Sequence, residues 1–297
     1  ISSTKKIFTL FDEKEYKKVY PYEISGVKEI YTVLPGYVSE NDIKFINKNK
    51  NLKFNKIDIS YRSRKPYPWL GKHSFLKWKI SEVFTDTKPK DLVIDISCDP
   101  KDQINGYKWL KFLYNSRTVL GVEGGASIHD PEGKLKNEYE KLIREGLKIS
   151  HDEYHRKYLN KFEGTLKLRN FTPRIFEAII CKSCLVLIEG EYNGILKKDI
   201  NYIPIKKDFS NIEEVYNKVR NFELCKKIAD HNYKAIIKSG DFTYQKFIDF
   251  ILSKSNIKVK SGEFSSKFKK LISIEILINE IIVNAYFLLV RFKCSKG

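Results

Sequence analysis

The sequence contains no methionine and only five cysteines: Cys98, Cys181, Cys184, Cys225 and Cys294. An odd number without framework spacing excludes a small disulfide-stapled secreted scaffold. At 297 residues with 42% hydrophobic content, the chain has enough apolar surface for a core without such staples. Residues 1–10 lack the apolar run and small-residue cleavage site of a secretory leader. The expected setting is therefore reducing and cytoplasmic, with the inner face of a membrane as a second address open to a basic chain. The chain opens at Ile1, which reads as the edge of something longer; the lack of methionine has no physical explanation. Acidic residues are also scarce, 37 against 55 Lys and Arg, leaving a formal charge of +18. That field attracts nucleic acid, anionic lipid or phosphorylated substrates. No RNP, KH-type GxxG or zinc-knuckle pattern accompanies the 18 Tyr and 19 Phe, so no nucleic-acid partner is expected.

The pattern divides the chain into three parts. Residues 1–50 hold two strand-like runs, 5–9 and 29–34, around a stretch able to form a helix, and 41–50 reads as a polar linker. This part is too short for a core of its own and reads as the last βα unit of a larger N-terminal domain. In residues 51–255, strand-like runs at 56–61, 91–97, 118–122, 184–188 and 202–205 alternate with helical stretches. The nearly continuous apolar character of DLVIDIS and CLVLI suits strands buried on both faces. The expected fold class is α/β, a Rossmann-like parallel sheet with a partial N-terminal unit and C-terminal helices. A charged, partly helical insertion occupies about 130–170. Residues 256–297 form a basic and apolar tail. Its run from Lys267 has membrane length, but Glu275, Asn279, Glu280 and Asn284 argue against a spanning helix. Either packing back on an N-terminal domain or lying on anionic lipid would accommodate it.

In an open parallel sheet, ligands bind beyond the carboxyl ends of the strands. Candidate residues follow those ends. Arg62, Arg64 and, after a Pro-rich turn, Gly71 and Lys72 come after the first strand. Glu123, Gly124, Gly125 and Ser127 come after the third. Arg174 and Glu177 open the helix at 173–180, and Glu191, Tyr192, Asn193 and Gly194 follow the next strand. Arginine and lysine neutralise phosphate oxygens, glycine admits close backbone approach, a carboxylate accepts the two hydroxyls of a ribose, and a helix start adds partial positive charge.

TPRIFEAIIC, then LVLIEGEYNGIL, then YIPIKKDFSNIEEV resembles the C-terminal, donor-binding domain of GT-B glycosyltransferases. Within that group it is similar to the spore-maturation-protein-like and surface-polysaccharide branch, which DISYRSRKPYPWLGK and LGVEGGASIHDPEG also match, so the resemblance runs from about Ile57 to Leu252. The resemblance implies a hexosyltransferase-like enzyme using a nucleotide-diphosphate sugar as donor substrate, with no further cofactor and no bound metal. The acceptor would be a saccharide or a lipid-linked group in surface glycan synthesis. It further implies that Glu177 holds the donor ribose, that Arg64 and Lys72 receive the diphosphate, and that residues 191–194 lie beside base and ribose. Retaining members carry two glutamates eight positions apart, whereas the position eight before Glu177 is Arg169. Glu123 is the expected replacement for the missing carboxylate, and His129 beside the Gly-rich loop is the other catalytic candidate. The first domain of such enzymes supplies the acceptor site and any base. The alternative to a transferase is accordingly a non-catalytic module that binds nucleotide or a partner.

Two motifs are read as structural. His151 and His155, four apart on an expected helix, lack the glutamate spacing and third ligand of a zinc protease and are assigned to an exposed helix face. Cys181 and Cys184 lack a second pair and are assigned to a half-buried helix-to-strand turn.

Overall fold

The computed structural model describes residues 6–49 and 56–255. Residues 1–251 form one compact unit; of a second, 252–297, only residues 252–255 are described, and the tail from Lys267 with Cys294 lies outside the described residues. The first part runs β1 (Lys6–Thr9), α1 (Tyr16–Val19), α2 (Tyr22–Ser25), β2 (Glu29–Thr32) and α3 (Glu40–Lys48). β1 and β2 pair in parallel with Ile7 opposite Ile30, so this part is a small β–helix–β unit. α3 corrects the expected linker at 41–50. Ser39 Oγ accepts from the Asp42 amide, Glu40 and Asp42 complement the helix start, Ile46 is buried, and Phe45 stacks on Tyr107 at 4.3 Å. The polar composition concealed a one-sided apolar stripe.

The main sheet alternates strand and helix: β3 (Ile57–Arg62), α4 (Lys72–Asp86), β4 (Ile94–Ser97), α5 (Tyr107–Tyr114) and β5 (Ser116–Gly121). An inserted region follows, with β6 (Gly124–Ala126), α6 (Lys134–Arg144), α7 (His151–Tyr154) and β7 (Leu168–Asn170). The chain then returns through α8 (Pro173–Ile180), β8 (Cys184–Ile188) and β9 (Ile203–Ile205) to α9 (Ile212–Arg220), α10 (Phe222–Asn232) and α11 (Tyr244–Ser255). The strand order is β4-β3-β5-β8-β9, parallel throughout. Ile59 sits between Ile94 and Thr118, and Val186 pairs with Ile203. This is an α/β fold with a Rossmann-like parallel sheet. The order reverses between β3 and β5, so the crevice at their carboxyl ends is the topological switch point.

Each face of the sheet is covered, which is why β8 is buried at every residue. One face packs α3, α5 and α8 through Ile46, Leu113, Phe176 and Ile179; the other packs α4, α9 and α10 through Ile80, Phe84, Tyr216 and Ile228. The insertion has a small core of its own around Ile128, Leu135, Tyr154 and Leu159, against which Trp69 packs. Its two histidines are buried rather than exposed, at 8% for His151 and 1% for His155. The His151 ring stacks on Phe75, and His155 Nε2 meets Glu163 Oε2 at 2.7 Å. Cys181 and Cys184 are likewise fully buried rather than half-buried, because the α8–β8 turn lies under both layers.

The Gly-rich segment expected as a loop is β6, antiparallel to β7 with Gly125 opposite Arg169. Gly125 has φ 133°, and a Cβ there would lie 2.0 Å from the Leu168 carbonyl oxygen. Gly125 is thus required by strand approach. Gly125→Ala is expected to destabilise the protein by roughly 2 kcal/mol or more, by clash plus backbone strain, as measured by urea unfolding; a change below about 0.5 kcal/mol would contradict this pairing.

Candidate functional site

At the carboxyl end of β3 the chain turns through residues 63–71 into α4, and α8 begins beside it. Arg174, in the first turn of α8, donates through Nη1 to the Arg62 carbonyl, and its guanidinium lies 5.1 Å from the centre of the Trp109 ring. This bond pins the start of α8 to the end of β3. Arg64 is exposed on the turn. Lys77, half-buried on α4, has its pKa held below the ordinary lysine range by burial and then by repulsion from Arg174 and Arg64. Three cations therefore gather next to the switch point. Lys77 and Arg64 form no ion pair among the described residues.

Glu177 lies one turn along α8 from Arg174. Its Oε2 accepts from Trp109 Nε1 at 2.6 Å. Burial raises its pKa, opposed by the Trp109 bond and by Arg174. The expected ribose-holding acid and the basic group thus share one rim, linked through Arg174.

Lys72 does not join them. It is the first residue of α4, its amide donates to Glu163 Oε2 at 3.1 Å, and its side chain is exposed. Ser127 Oγ accepts from the next amide, that of His73, at 3.2 Å. The free N–H groups of this helix start are thereby capped by the insertion. Burial pushes the Glu163 carboxyl up, but bonds from Ser127, the Lys72 amide and His155 outweigh it and leave its pKa lowered. Arg62 is also occupied. Its Nη2 pairs with Asp95 Oδ1 at 2.7 Å, and its guanidinium lies over Phe112 at 4.5 Å, so it braces β3 against β4 and α5. Lys77, rather than Lys72 or Arg62, is found beside Arg64 and Arg174.

The residues after β5 and β8 form a second group. Glu123 is 4% exposed, and its Oε1 accepts from the amides of Glu191 at 3.0 Å and Tyr192 at 2.6 Å. Its pKa is raised by burial against the opposing pull of these bonds and of Arg169. It anchors the turn after β8. In that turn Tyr192 is fully buried and bonds the Ile188 carbonyl, and Glu191 pairs with Lys167 at 2.6 Å. Asn193, at φ 52°, accepts from the Phe171 amide at 2.6 Å, and the Gly194 amide closes the turn on the Glu191 carbonyl. These four residues build a rigid turn; their side chains are not presented as an open cradle. Gly124 and Gly125 belong to β6. His129 donates its amide to Thr165 Oγ1, and its ring is half-exposed.

Sequence reasoning missed Lys77, Trp109, Arg169 and His73. The signal for two of them was available: His73, Lys77, Ile80 and Phe84 lie at helical spacing on one ridge of α4, so a lysine and a histidine share the side that carries core residues. His73 is 7% exposed with no partner for Nε2, and burial followed by repulsion from Arg169 lowers its pKa to about 3. Two clefts open at the opposite, amino-terminal edge of the sheet, one lined by Phe45, Lys56 and Lys111, the other by Arg117, Cys225 and Lys226; neither contains an expected site residue. Among the described residues no group of three or more His, Cys, Asp or Glu is placed to hold a metal, and no helix is long and apolar enough to cross a membrane.

No family model and no curated protein sequence matches the chain. Solved structures similar to it include HepE of Anabaena in complex with UDP-glucose, at 10% identity over 79% of this chain and 60% of that one, TM-score 0.42. A sucrose-phosphate synthase of Thermosynechococcus elongatus aligns at 11% identity over 84% and 57%, TM-score 0.41. A glycosyltransferase of Rickettsia africae aligns at 11% over 84% and 63%, TM-score 0.39. The chain spans about three fifths of the length of these structures.

The buried histidines give this region a pH dependence. His73 and His151, with pKa values lowered to about 3 and about 4, stay neutral in the fold while the unfolded chain takes up protons below about pH 6.5. Stability is expected to fall as pH drops through that window, each histidine contributing up to about 1.4 kcal/mol per pH unit. The raised carboxyls of Glu123 and Glu177 act in the opposite sense, favouring the fold as they protonate. His73→Gln should remove one proton from the acid slope in urea titrations between pH 4.5 and 7; an unchanged slope would place His73 in water.

Proposed function

We propose that the chain is the donor-binding part of a glycosyltransferase of GT-B type. It holds a nucleotide-diphosphate sugar at the β3/β5 switch point and passes the glycosyl group to a saccharide or lipid-linked acceptor in surface glycan synthesis. The observation that carries this reading is the gathering of Arg64, Lys77 and Arg174 with one acid, Glu177, at the carboxyl rim of a parallel sheet. The sequence resemblance to the spore-maturation-protein-like branch, carried in part by the same residues, supports the same reading.

In this reading Glu177 accepts the ribose hydroxyls through the oxygen that Trp109 leaves open, and the three cations take the diphosphate. Their mutual repulsion, unrelieved by any carboxylate on Lys77, is relieved when an anion arrives. The same cations stabilise the leaving diphosphate during transfer, which is the role a divalent cation would otherwise serve, so a metal-independent reaction follows. Glu123 and His129 remain the candidates for catalysis. Glu123 acts through the turn it anchors, and His129 has the half-exposed ring available for a direct role. A cytoplasmic site, with docking at an anionic inner membrane face, suits the +18 charge.

A second reading, a nucleotide-binding module without transfer, is favoured by one observation. The carboxylate expected in place of the missing one is buried on two backbone amides, and Arg169 fills the position eight before Glu177.

Calorimetry with UDP, GDP and their sugars separates these from an RNA- or lipid-binding role. Micromolar, diphosphate-dependent binding is expected, weakened at least tenfold by Lys77→Ala or Arg174→Ala and less than twofold by Lys72→Ala. Equal losses for Lys72 and Lys77, or binding only to RNA or vesicles with steep salt dependence, would overturn the assignment. Turnover of a bound sugar nucleotide then distinguishes transferase from module.

A further inference from the structure

The turn from β3 into α4 carries, three residues after Arg64, a tyrosine that packing does not require. Tyr67 is 56% exposed, while one face of its ring stacks on Trp69 at 4.4 Å and an interplanar angle of 10°. Trp69 in turn meets Tyr139 at 5.4 Å, Tyr139 meets Tyr154 at 5.0 Å, and Tyr154 meets Tyr158 at 4.8 Å. A continuous line of rings thus runs from solvent at Tyr67 into the core of the insertion. The turn is fixed from below as well. Pro66 and Pro68 flank the tyrosine, the Gly71 amide closes on the Pro68 carbonyl, and the Ser127 amide bonds the Leu70 carbonyl at 2.8 Å.

An exposed aromatic face held this rigidly loses little entropy when a ligand covers it. Its neighbours in the turn decide what that ligand is. Arg64 and Lys65 are charged and exposed, with the Lys65 ammonium 4.1 Å from the Trp78 ring, so no continuous apolar strip is present for an acyl chain. A pyranose offers a flat patch of C–H bonds for the negative ring face and a rim of hydroxyls for the polar surroundings.

We propose that the outer face of Tyr67 is a saccharide subsite in the turn that also carries Arg64. This rests on the donor-binding reading for its orientation. Glu177, Arg174 and then Lys77 with Arg64 are successive electrostatic neighbours, and Tyr67 lies in the same β3–α4 turn, three residues after Arg64.

Saturation-transfer NMR on the full chain with cellobiose, maltotriose and di-N-acetylchitobiose tests this, alongside UDP and GDP calorimetry. At least one oligosaccharide should receive saturation mainly at its ring C–H protons. Tyr67→Ala should weaken that binding by about fivefold to tenfold, Tyr67→Phe should retain it, and neither should alter nucleotide affinity. Circular dichroism identical to that of the parent protein establishes that both variants are folded. No transfer to any of the three sugars, undiminished binding by Tyr67→Ala, or an equal loss of nucleotide binding, which would make the platform a base site, overturns the proposal. Tyr67-dependent sugar binding in a chain that binds no nucleotide leaves the subsite standing and removes the donor-binding reading instead.

Discussion

The site depends on one buried carboxylate. Glu123 leaves the end of β5 and accepts the amides of Glu191 and Tyr192, so two neighbouring strands are tied just beyond their carboxyl ends. The turn that this bond fixes presents Asn193 to the Phe171 amide, which sets where the chain enters α8. α8 then places Arg174 on the Arg62 carbonyl and Glu177 on Trp109. A charge so buried is costly unless its hydrogen bonds are good, and its raised pKa records that cost. Two amides and the nearby Arg169 offset it. The arrangement trades stability for a fixed start of α8, which sets where Arg174 and Glu177 stand relative to the end of β3.

Like charges next to one another are the second constraint. Arg64, Lys77 and Arg174 repel, and that repulsion adds to burial in holding the Lys77 pKa below the ordinary lysine range. A folded protein gains nothing from this by itself. Three arginines outside this group are matched: Arg62 with Asp95, Arg117 with Asp58 and Arg220 with Asp91. Those paired arginines brace strands and helices, whereas Lys77 has two arginines as its charged neighbours. A lysine whose titration is perturbed by burial and by neighbouring cations is a candidate functional group, which is why the proposed function centres on it.

The alternation of apolar strands and helices was legible in the sequence because parallel strands covered on both faces leave long apolar runs, as in CLVLI. What that pattern could not show was the strand order, and with it which strand ends meet. The proximity of Arg174 to Glu177 and of Arg64 to the same end of the sheet was legible because each stands at or near an element boundary, where ligands bind in this fold class. Lys77 was not, since it lies inside a helix and periodic spacing alone does not tell a ridge beside the sheet from a ridge at its rim. Lys72 and Arg62 look equivalent to it in sequence; the structure shows their differing partners, Glu163 for the amide of one and Asp95 for the side chain of the other. α3 was hidden by the opposite effect, a polar composition over a stripe of Ile43 and Ile46.

The insertion explains why the phosphate-binding role would shift along α4. The start of a helix after the first strand is an anion seat by geometry, with amides and a partial positive charge directed outward. Here Glu163 and Ser127, both brought by the insertion and its flank, already occupy the amides of Lys72 and His73. His155 holds Glu163 in turn, from a position 1% exposed. A diphosphate seeking the same amides would have to displace a carboxylate that is bonded from three sides. The remaining positive charge lies one turn further, at Lys77, flanked by the arginines of β3's turn and of α8. The insertion therefore occupies the amides at the start of α4 while its aromatic core supports the turn that carries Arg64 and Tyr67.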